Sequence, residues 1–185
     1  MRTLFTTRWL LSHLFALTMV VGMVGLGFWQ LERRDERNAT NDEIAAAAER
    51  VPIQIESILD GVEPVVEHRR VIVRGEYLDQ SSFLVANRSF ETQAGSWLAT
   101  PVELDDGTIV IVARGWVPRL WVAGSDPRLI DTPNEVELVG RVFESVDGGL
   151  IGSGTDDYAE VSRMELVVVE EAISLDVADV WIQLE

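Results

Sequence analysis

Two arginines that lie within apolar segments are the residues in this chain best suited to chemistry. Arg88 follows Val85-Ala86-Asn87, and Arg114 follows the apolar run 109–113. A partly buried guanidinium needs carboxylate or carbonyl partners. Two interpretations stay open: an internal ion pair that fixes the register of the strands, or an anion site for a cofactor carboxylate or an acidic segment of a partner.

Three tryptophans follow these arginines closely in the sequence, namely Trp97, Trp116 and Trp121. Indole rings could form an apolar wall beside such an anion site. The same rings are equally suited to a plain core or to a surface that faces lipid headgroups. Both interpretations stay open from the sequence.

The residue patterns of common enzymes are missing. His68 is the one histidine after the first apolar segment, and the neighbouring Arg69 and Arg70 disfavour its protonation. The Gly-Ser-Gly-Thr segment at 152–155 has neither the spacing of a nucleophile elbow nor the lysine of a phosphate-binding loop. We therefore predict no catalytic residue and no enzyme activity.

Acidic pairs are the remaining candidates for metal binding. Asp105-Asp106 and Asp156-Asp157 supply carboxylate oxygens, but both pairs lie in segments that read as solvated turns. We therefore predict no metal site.

The charge distribution excludes one class of partner. The chain has 185 residues, no lysine and a net charge of −16. Residues 32–185 hold 13 arginines against 31 acidic residues and therefore carry −18. Such a domain repels phosphate backbones, so we predict no nucleic-acid binding. The absence of cysteine excludes disulfides and thiolate chemistry.

The elements that position these residues begin with a membrane segment, residues 1–31. Trp9 to Leu31 is a run of 23 residues without a formal charge, long enough to span a hydrocarbon core about 30 Å thick. We predict an uncleaved anchor in contact with membrane lipid. The alternative is a signal peptide, whose apolar region is shorter and ends at small residues. Charge alone leaves the topology open, because arginines flank both ends.

Inside this segment, Thr18, Gly22 and Gly25 share one helix face at spacings of four and three residues. Small residues on one face allow a second helix to approach closely, although glycine is also simply common in membrane helices. His13 lies about one turn inside the segment, where a hydrogen-bonded histidine is a simpler interpretation than a haem or metal ligand.

The rest of the chain divides into a polar helical stalk, residues 32–50, and a mainly β domain, residues 51–185. Period-two alternation and turn signals predict strands after Glu67 and at 82–90, 97–104, 108–117, 135–144 and 180–184. Pro101 suggests an edge strand or a bulge, and segment 164–173 fits either a strand or a short helix. We predict a small antiparallel β-barrel or sandwich.

Several motifs in this order resemble one family. The membrane helix closes on Gly27-Phe28-Trp29-Gln30-Leu31-Glu32-Arg33-Arg34, and later motifs read Arg-Val-Ile-Val-Arg-Gly-Glu-Tyr at 70–77 and Val-Ala-Asn-Arg at 85–88. Gly95 to Pro101, Asp106-Gly107 and the Val-Ala-Arg-Gly-Trp-Val-Pro motif at 112–118 complete the set. Together they are similar to the surfeit-locus-one family of cytochrome c oxidase assembly factors, over about residues 20–145.

The resemblance implies a non-enzymatic membrane protein that acts on subunit I of cytochrome c oxidase, at the step where haem a is inserted. It also implies a cytoplasmic N-terminus at the cell membrane and an extracytoplasmic β domain. The motif residues that become candidates for partner contact are Trp29, Gln30, Leu31, Arg33, Gly75, Asn87, Arg88, Gly95, Pro101, Arg114, Gly115, Trp116 and Pro118.

The family pattern further implies a second membrane helix, which carries a histidine linked to haem. The sequence ends at Glu185 before such a segment, so either the sequence is truncated or this member lacks that helix. Haem a binding is therefore an expectation from the family that is assigned to no residue here. The alternative function is a membrane-tethered extracytoplasmic binding module or hydrolase that is unrelated to the oxidase.

Overall fold

A computed structural model describes residues 7–119, 135–154 and 158–185. Contacts between residues divide the chain into two compact units, Met1–Ala45 and Ala46–Glu185. Trp121, Thr155 and the Asp156-Asp157 pair lie outside the described residues, as does most of the loop between the fifth and sixth strands.

The first element is a long helix, α1, from Thr7 to Glu49. It contains a stretch that is long and apolar enough to cross a membrane. Its helical hydrogen bonds satisfy the backbone polar groups, as a hydrocarbon environment requires. The Nδ1 atom of His13 is hydrogen-bonded to the Trp9 carbonyl at 2.9 Å, which agrees with the interpretation of His13 as a hydrogen-bonded histidine.

The elements named after α1 in the described part of the chain are eight strands and two helices. The strands are β1 Ile53–Gln54, β2 Arg70–Tyr77, β3 Phe83–Phe90, β4 Gln93–Glu103, β5 Ile109–Pro118, β6 Glu135–Glu144, β7 Ala159–Val161 and β8 Val180–Leu184. The helices are α2, Glu56–Leu59, and α3, Leu166–Ile173. A 3₁₀ turn at Asp79–Ser81 joins β2 to β3. The prediction of a mainly β domain after an apolar N-terminal helix is confirmed.

All eight strands belong to one sheet, in the order β1-β2-β6-β8-β5-β4-β3-β7. A further pairing joins β2 to β4 through Glu76 with Glu103 and Tyr77 with Val102. The pairings of β2, β6, β8, β5 and β4 therefore return to β2. Gly75 lies at this junction, where a Cβ atom would collide with the backbone carbonyl of Glu103.

The core lies on both faces of β5, as its unbroken apolar run predicts. Val110 and Val112 belong to one buried cluster, whereas Ile111 and Ala113 belong to another. The Asp-Asp-Gly turn before β5 is also confirmed. Asp106 accepts a hydrogen bond from the Thr108 amide at 2.8 Å, which lowers the pKa of the Asp106 carboxyl group and ties it to the turn.

The prediction of an antiparallel sheet is wrong for three pairs of strands, because β1–β2, β3–β7 and β5–β8 are parallel. Parallel neighbours need a long crossover connection. The chain after β5 provides one, since it passes through β6, β7 and α3 before β8 pairs with β5. The ambiguous segment 164–173 forms the helix α3 in that connection.

Pro101 does not mark an edge strand. β4 lies between β5 and β3 and also pairs with β2. The proline is tolerated because β4 changes neighbours there: β3 pairs as far as Ala99, and β2 pairs from Val102. A bulge does occur nearby, since the register between β4 and β5 shifts between Leu98 and Ala99.

Candidate functional site

The bulge between β4 and β5 positions Arg114. Leu98 pairs with Gly115 and Ala99 with Ala113, so Arg114 is the extra residue on β5. Gly115 adopts a φ of 152°, which side-chain-bearing residues rarely adopt. A bulge of this kind redirects the side chain of the extra residue. The adjacent Arg-Gly pair is therefore a local structural device as well as a sequence motif.

Arg114 forms an internal ion pair. Its Nη1 atom donates to Oδ1 of Asp79 at 3.0 Å, and its side chain is 12% exposed. The guanidinium carbon also lies 4.4 Å from the centroid of the Tyr77 ring. Burial raises the pKa of the Tyr77 hydroxyl, which keeps that group neutral beside the ion pair. For Arg114, these contacts support the ion-pair interpretation, because they join β5 to β2 and to the 3₁₀ turn.

Arg88 has different surroundings. The register of β3 against β4 shifts between Val85 and Arg88, and Asn87 adopts a left-handed φ of 58°. Asparagine is one of the few residues with a side chain that tolerates this conformation. The irregularity places the guanidinium carbon of Arg88 4.4 Å from the centroid of the Trp97 ring. This distance is within the range of a cation–π contact.

The Nε atom of Arg88 is buried without a hydrogen-bond partner. No carboxylate in the described ranges forms an ion pair with this arginine. Burial lowers the pKa of Arg88, and the positive charge of Arg163 lowers it further. An internal ion pair of Arg88 is therefore not observed among the described residues. The interpretation of Arg88 as part of an anion site stays open.

Trp116 joins β5 to the end of β3. Its indole nitrogen donates to the carbonyl oxygen of Arg88 at 3.1 Å, and its ring lies 5.7 Å from the Phe90 ring. A Cβ atom at Gly95 would come within 2.6 Å of the Trp116 ring and would collide with the Val117 carbonyl. Glycine is therefore required at position 95 for Trp116 to lie across β4.

The two motif prolines lie in the same pair of strands. The carbonyl oxygen of Pro101 accepts a hydrogen bond from the Leu78 amide at 2.9 Å, and Pro118 pairs with Gly95 at the end of β5. Both residues therefore contribute to strand pairing around Arg114 and Trp116. Neither of them presents a chemically reactive group.

The four motif residues on α1 form a separate group within the first unit. Trp29, Gln30 and Leu31 have exposed side chains, and the guanidinium carbon of Arg33 lies 5.6 Å from the centroid of the Trp29 ring. The other nine candidates lie in the second unit. The sheet brings together Asn87, Arg88, Gly95, Trp116 and Pro118 around the β3–β4–β5 end, with Arg114 in the neighbouring bulge.

An aromatic cluster that the sequence patterns do not predict lies beside Trp97. Trp181 on β8 stacks on Phe143 of β6 with centroids 4.6 Å apart, and Trp97 lies 6.1 Å from Trp181. The His68 ring packs edge-on against the Phe143 ring, with the two centroids 4.8 Å apart. The apolar run from Val180 to Ile182 could have indicated that Trp181 lies in a core. Its neighbours depend on the parallel pairing with β5, which carries no local signal.

The family model that matches this sequence is described as the SURF1 family, and the match covers residues 17–182. The chain belongs to the SURF1 family. This result confirms the resemblance inferred from the Trp-Gln-Leu and Arg-Gly-Trp-Val-Pro motifs. The matched region includes most of the apolar part of α1 and nearly the whole sheet.

Several proteins with the family name are similar to this SURF1 family member. Surfeit locus protein 1 of Arabidopsis thaliana is 32% identical over 109 residues, which are 52% of this chain and 31% of that protein. The SURF1-like protein of Rickettsia bellii is 30% identical over 107 residues, with 57% and 43% covered. Surfeit locus protein 1 of Xenopus tropicalis is 29% identical over 192 residues, with 91% and 60% covered. The chain thus spans between 31% and 60% of the length of these relatives.

Proposed function

We propose that this SURF1 family member is a non-enzymatic, membrane-anchored assembly factor for cytochrome c oxidase. In this role it assists the insertion of haem a or stabilises subunit I. The observation that carries the proposal is the family match over residues 17–182, which joins the apolar helix and the sheet in one matched region. The apolar stretch of α1 supports a site of action at the membrane.

The arrangement of the described side chains supports a role without catalysis. The ring of His68 packs on Phe143, and within residues 7–119, 135–154 and 158–185 no hydrogen bond joins it to a serine or a carboxylate. The guanidinium of Arg114 is held by Asp79, and this ion pair stabilises the sheet. We therefore assign the family motifs of the sequence to folding and to partner contact.

Haem a enters this proposal as cargo. His13 is hydrogen-bonded to its own helix and lies 3.9 Å from the Trp9 ring, and His68 packs on Phe143. We assign neither histidine as a haem ligand, and we place the action of this chain on the polypeptide of subunit I.

The ring of strand pairings supports a small barrel. β2 pairs with both β6 and β4, and the close approach of Gly75 to Glu103 suits a closure of the sheet at that point. We infer that β2, β6, β8, β5 and β4 form this barrel, since closure removes exposed strand edges. Amide hydrogen exchange tests this inference: the amide of Leu78, which donates to the Pro101 carbonyl where β2 meets β4, is expected to exchange slowly.

We further propose that the N-terminus is cytoplasmic and that the β domain is extracytoplasmic at the cell membrane. Because the chain has no cysteine, one introduced thiol reports the topology without background. Gln80→Cys, at an exposed position, is expected to react with a membrane-impermeant maleimide in intact cells. Thr3→Cys is expected to react only after lysis. The opposite pattern contradicts the topology.

Affinity capture tests the partner. The tagged full chain, extracted in mild detergent, is expected to retain newly made oxidase subunit I and not an unrelated membrane protein of similar abundance. Recovery of subunit I equal to that of the unrelated protein would contradict the proposal. Turnover of an ester, glycoside or phosphate substrate by the purified chain would instead favour the tethered hydrolase.

A further inference from the structure

A pocket of about 430 Å³ lies beside the aromatic cluster. Its apolar lining includes Trp97, Phe143, Met164 and Trp181, and Arg88 and Arg163 contribute its positive charge. The indole nitrogen of Trp181 donates to the Glu144 carbonyl at 3.0 Å, which fixes the ring in its stack on Phe143. The volume lies within the range of pockets that bind small molecules, roughly 300–1,000 Å³.

Arg88 is the distinctive group in this pocket. Arg114, on the other side of β4, has the Asp79 carboxylate at 3.0 Å, whereas Arg88 has no described carboxylate partner and its Nε is buried without a hydrogen bond. A partly buried guanidinium without a counter-ion is costly, because neither bulk water nor an anion fully compensates its charge. The Trp97 ring offers only the partial compensation of a cation–π contact.

Arg163 adds a second positive charge at the same pocket. Its Nη1 donates to the Asp147 carbonyl at 3.2 Å, which holds the side chain in place without neutralising it. The charge of Arg163 acts on Arg88 strongly enough to contribute to its lowered pKa. An anion that bridges the two guanidinium groups would relieve this repulsion, and carboxylates form strong hydrogen bonds with arginine.

We propose that this pocket binds a small amphipathic carboxylate, with its apolar body against Trp97 and Trp181 and its carboxylate between Arg88 and Arg163. A small monoanion fits better than an acidic protein segment. Residues 32–185 carry a net charge of −18, which repels an acidic macromolecule as a whole. A single carboxylate that lies close to the guanidinium groups of Arg88 and Arg163, within a Debye length, interacts mainly with those two charges. This proposal does not depend on the proposed assembly function.

The test is isothermal titration calorimetry of the full chain in nanodiscs with naphthalene-2-carboxylate, with the heat of empty nanodiscs subtracted. Naphthalene-2-carboxamide is the matched neutral probe, because it has the same apolar body and a similar shape. We expect the acid to bind at least about tenfold more tightly than the amide, as a charge-assisted hydrogen bond requires. Equal affinities, or no binding of the acid at millimolar concentration, would overturn the proposal.

Arginine variants locate the binding. Arg88→Gln and Arg163→Gln are each expected to weaken binding of the acid by about tenfold, which corresponds to one lost charge-assisted contact. Arg163 is exposed, so Arg163→Gln is expected to leave the fold intact. It therefore tests the pocket even if Arg88→Gln disturbs β3. Arg74→Gln removes the same charge from an exposed pair with Glu137 and is expected to bind the acid as the unmodified chain does. The proposal would be overturned if all three variants weakened binding of the acid equally. It would also be overturned if neither Arg88→Gln nor Arg163→Gln weakened binding.

Discussion

Arg88 and Arg114 lie on the two strands that flank β4, and a break in strand register accompanies each of them. The bulge at Gly115 directs Arg114 to Asp79, and the irregularity at Asn87 directs Arg88 to Trp97. The same residue type therefore stabilises the sheet at one position and leaves an uncompensated charge at the other. The difference follows from the neighbours that the fold supplies.

Removal of the Arg114 guanidinium tests its structural role. Arg114→Ala leaves the Asp79 carboxylate without this partner and removes the contact with Tyr77. We expect the free energy of unfolding of the full chain in detergent to fall by about 1–3 kcal/mol, the usual cost of breaking a partly buried charged hydrogen bond. The measurement is urea denaturation followed by near-ultraviolet circular dichroism.

Arg74→Ala is the matched control, because Arg74 pairs with Glu137 at the surface, where their side chains are 54% and 58% exposed. Solvent screens such a pair, so its loss is expected to change stability less than the loss of Arg114 does. A larger loss of stability from Arg74→Ala would show that the ion pair of Arg114 does not stabilise the fold.

Gly95 on β4 and Gly115 on β5 are required for different reasons, the first because of a steric clash and the second because of its backbone conformation. At Gly95 a Cβ atom would collide with the Val117 carbonyl and meet the Trp116 ring, whereas at Gly115 it would meet no atom within 4 Å. Gly95→Ala is therefore expected to destabilise the chain by about 1–3 kcal/mol through overpacking. Gly115→Ala carries the cost of an unfavourable φ without a steric clash, about 1–3 kcal/mol. The same denaturation measurement checks both values, and a Gly95→Ala chain as stable as the unmodified one would contradict the close packing of Trp116 on β4.

The sequence is informative about the site wherever the signal is local. An arginine inside an apolar run is unusual, and this pattern alone is enough to single out Arg88 and Arg114. The partners of these residues cannot be predicted in the same way. Asp79 is distant in sequence from Arg114, and Arg163 is distant from Arg88, so only the fold brings each pair close. Trp181 lies beside Trp97 for the same reason.

Among the elements, strands with strong alternation or an uninterrupted apolar run are the easiest to predict. β6 and β8 have the predicted bounds, and the turn before β5 carries the expected Asp-Gly signal. β1 and β7 escape prediction because two or three residues give no periodicity. The parallel direction of β8 cannot be read from its own residues, since it is set by the path of the chain through α3.

The helix α1 carries its own testable expectation. Gly22 and Gly25 have open space around them, since a Cβ atom at either position would meet no atom within 4 Å. Thr18 donates to the Leu14 carbonyl at 2.9 Å on the same face. We propose that this face contacts a helix of subunit I, because small residues allow close helix packing. Gly22→Leu is expected to reduce the recovery of subunit I in the affinity capture several-fold.

Val20→Leu is the matched control for this helix face. Val20 is also exposed on α1. At 3.6 residues per turn it lies on the side of the helix opposite the stripe of small residues, so added bulk there is expected to leave the capture unchanged. Equal recovery of subunit I with both variants would show that the stripe is not the contact face.

At the scale of the whole molecule, the chain combines an apolar helix with an acidic β domain whose motifs serve the packing of the sheet. This combination suits a scaffold that holds a membrane subunit during assembly, since the described residues supply a stable fold and a surface for contact. The pocket beside Trp97 is a separate feature of the same domain, and its ligand need not be related to the assembly role.

We propose that this chain promotes assembly of cytochrome c oxidase, a claim that can be checked in the reduced-minus-oxidised spectrum of membranes from a gene-deletion strain. We predict a loss of haem a absorbance, unchanged b- and c-type cytochromes, and recovery when the full chain is expressed again. Haem a absorbance equal to that of the parent strain would contradict this claim.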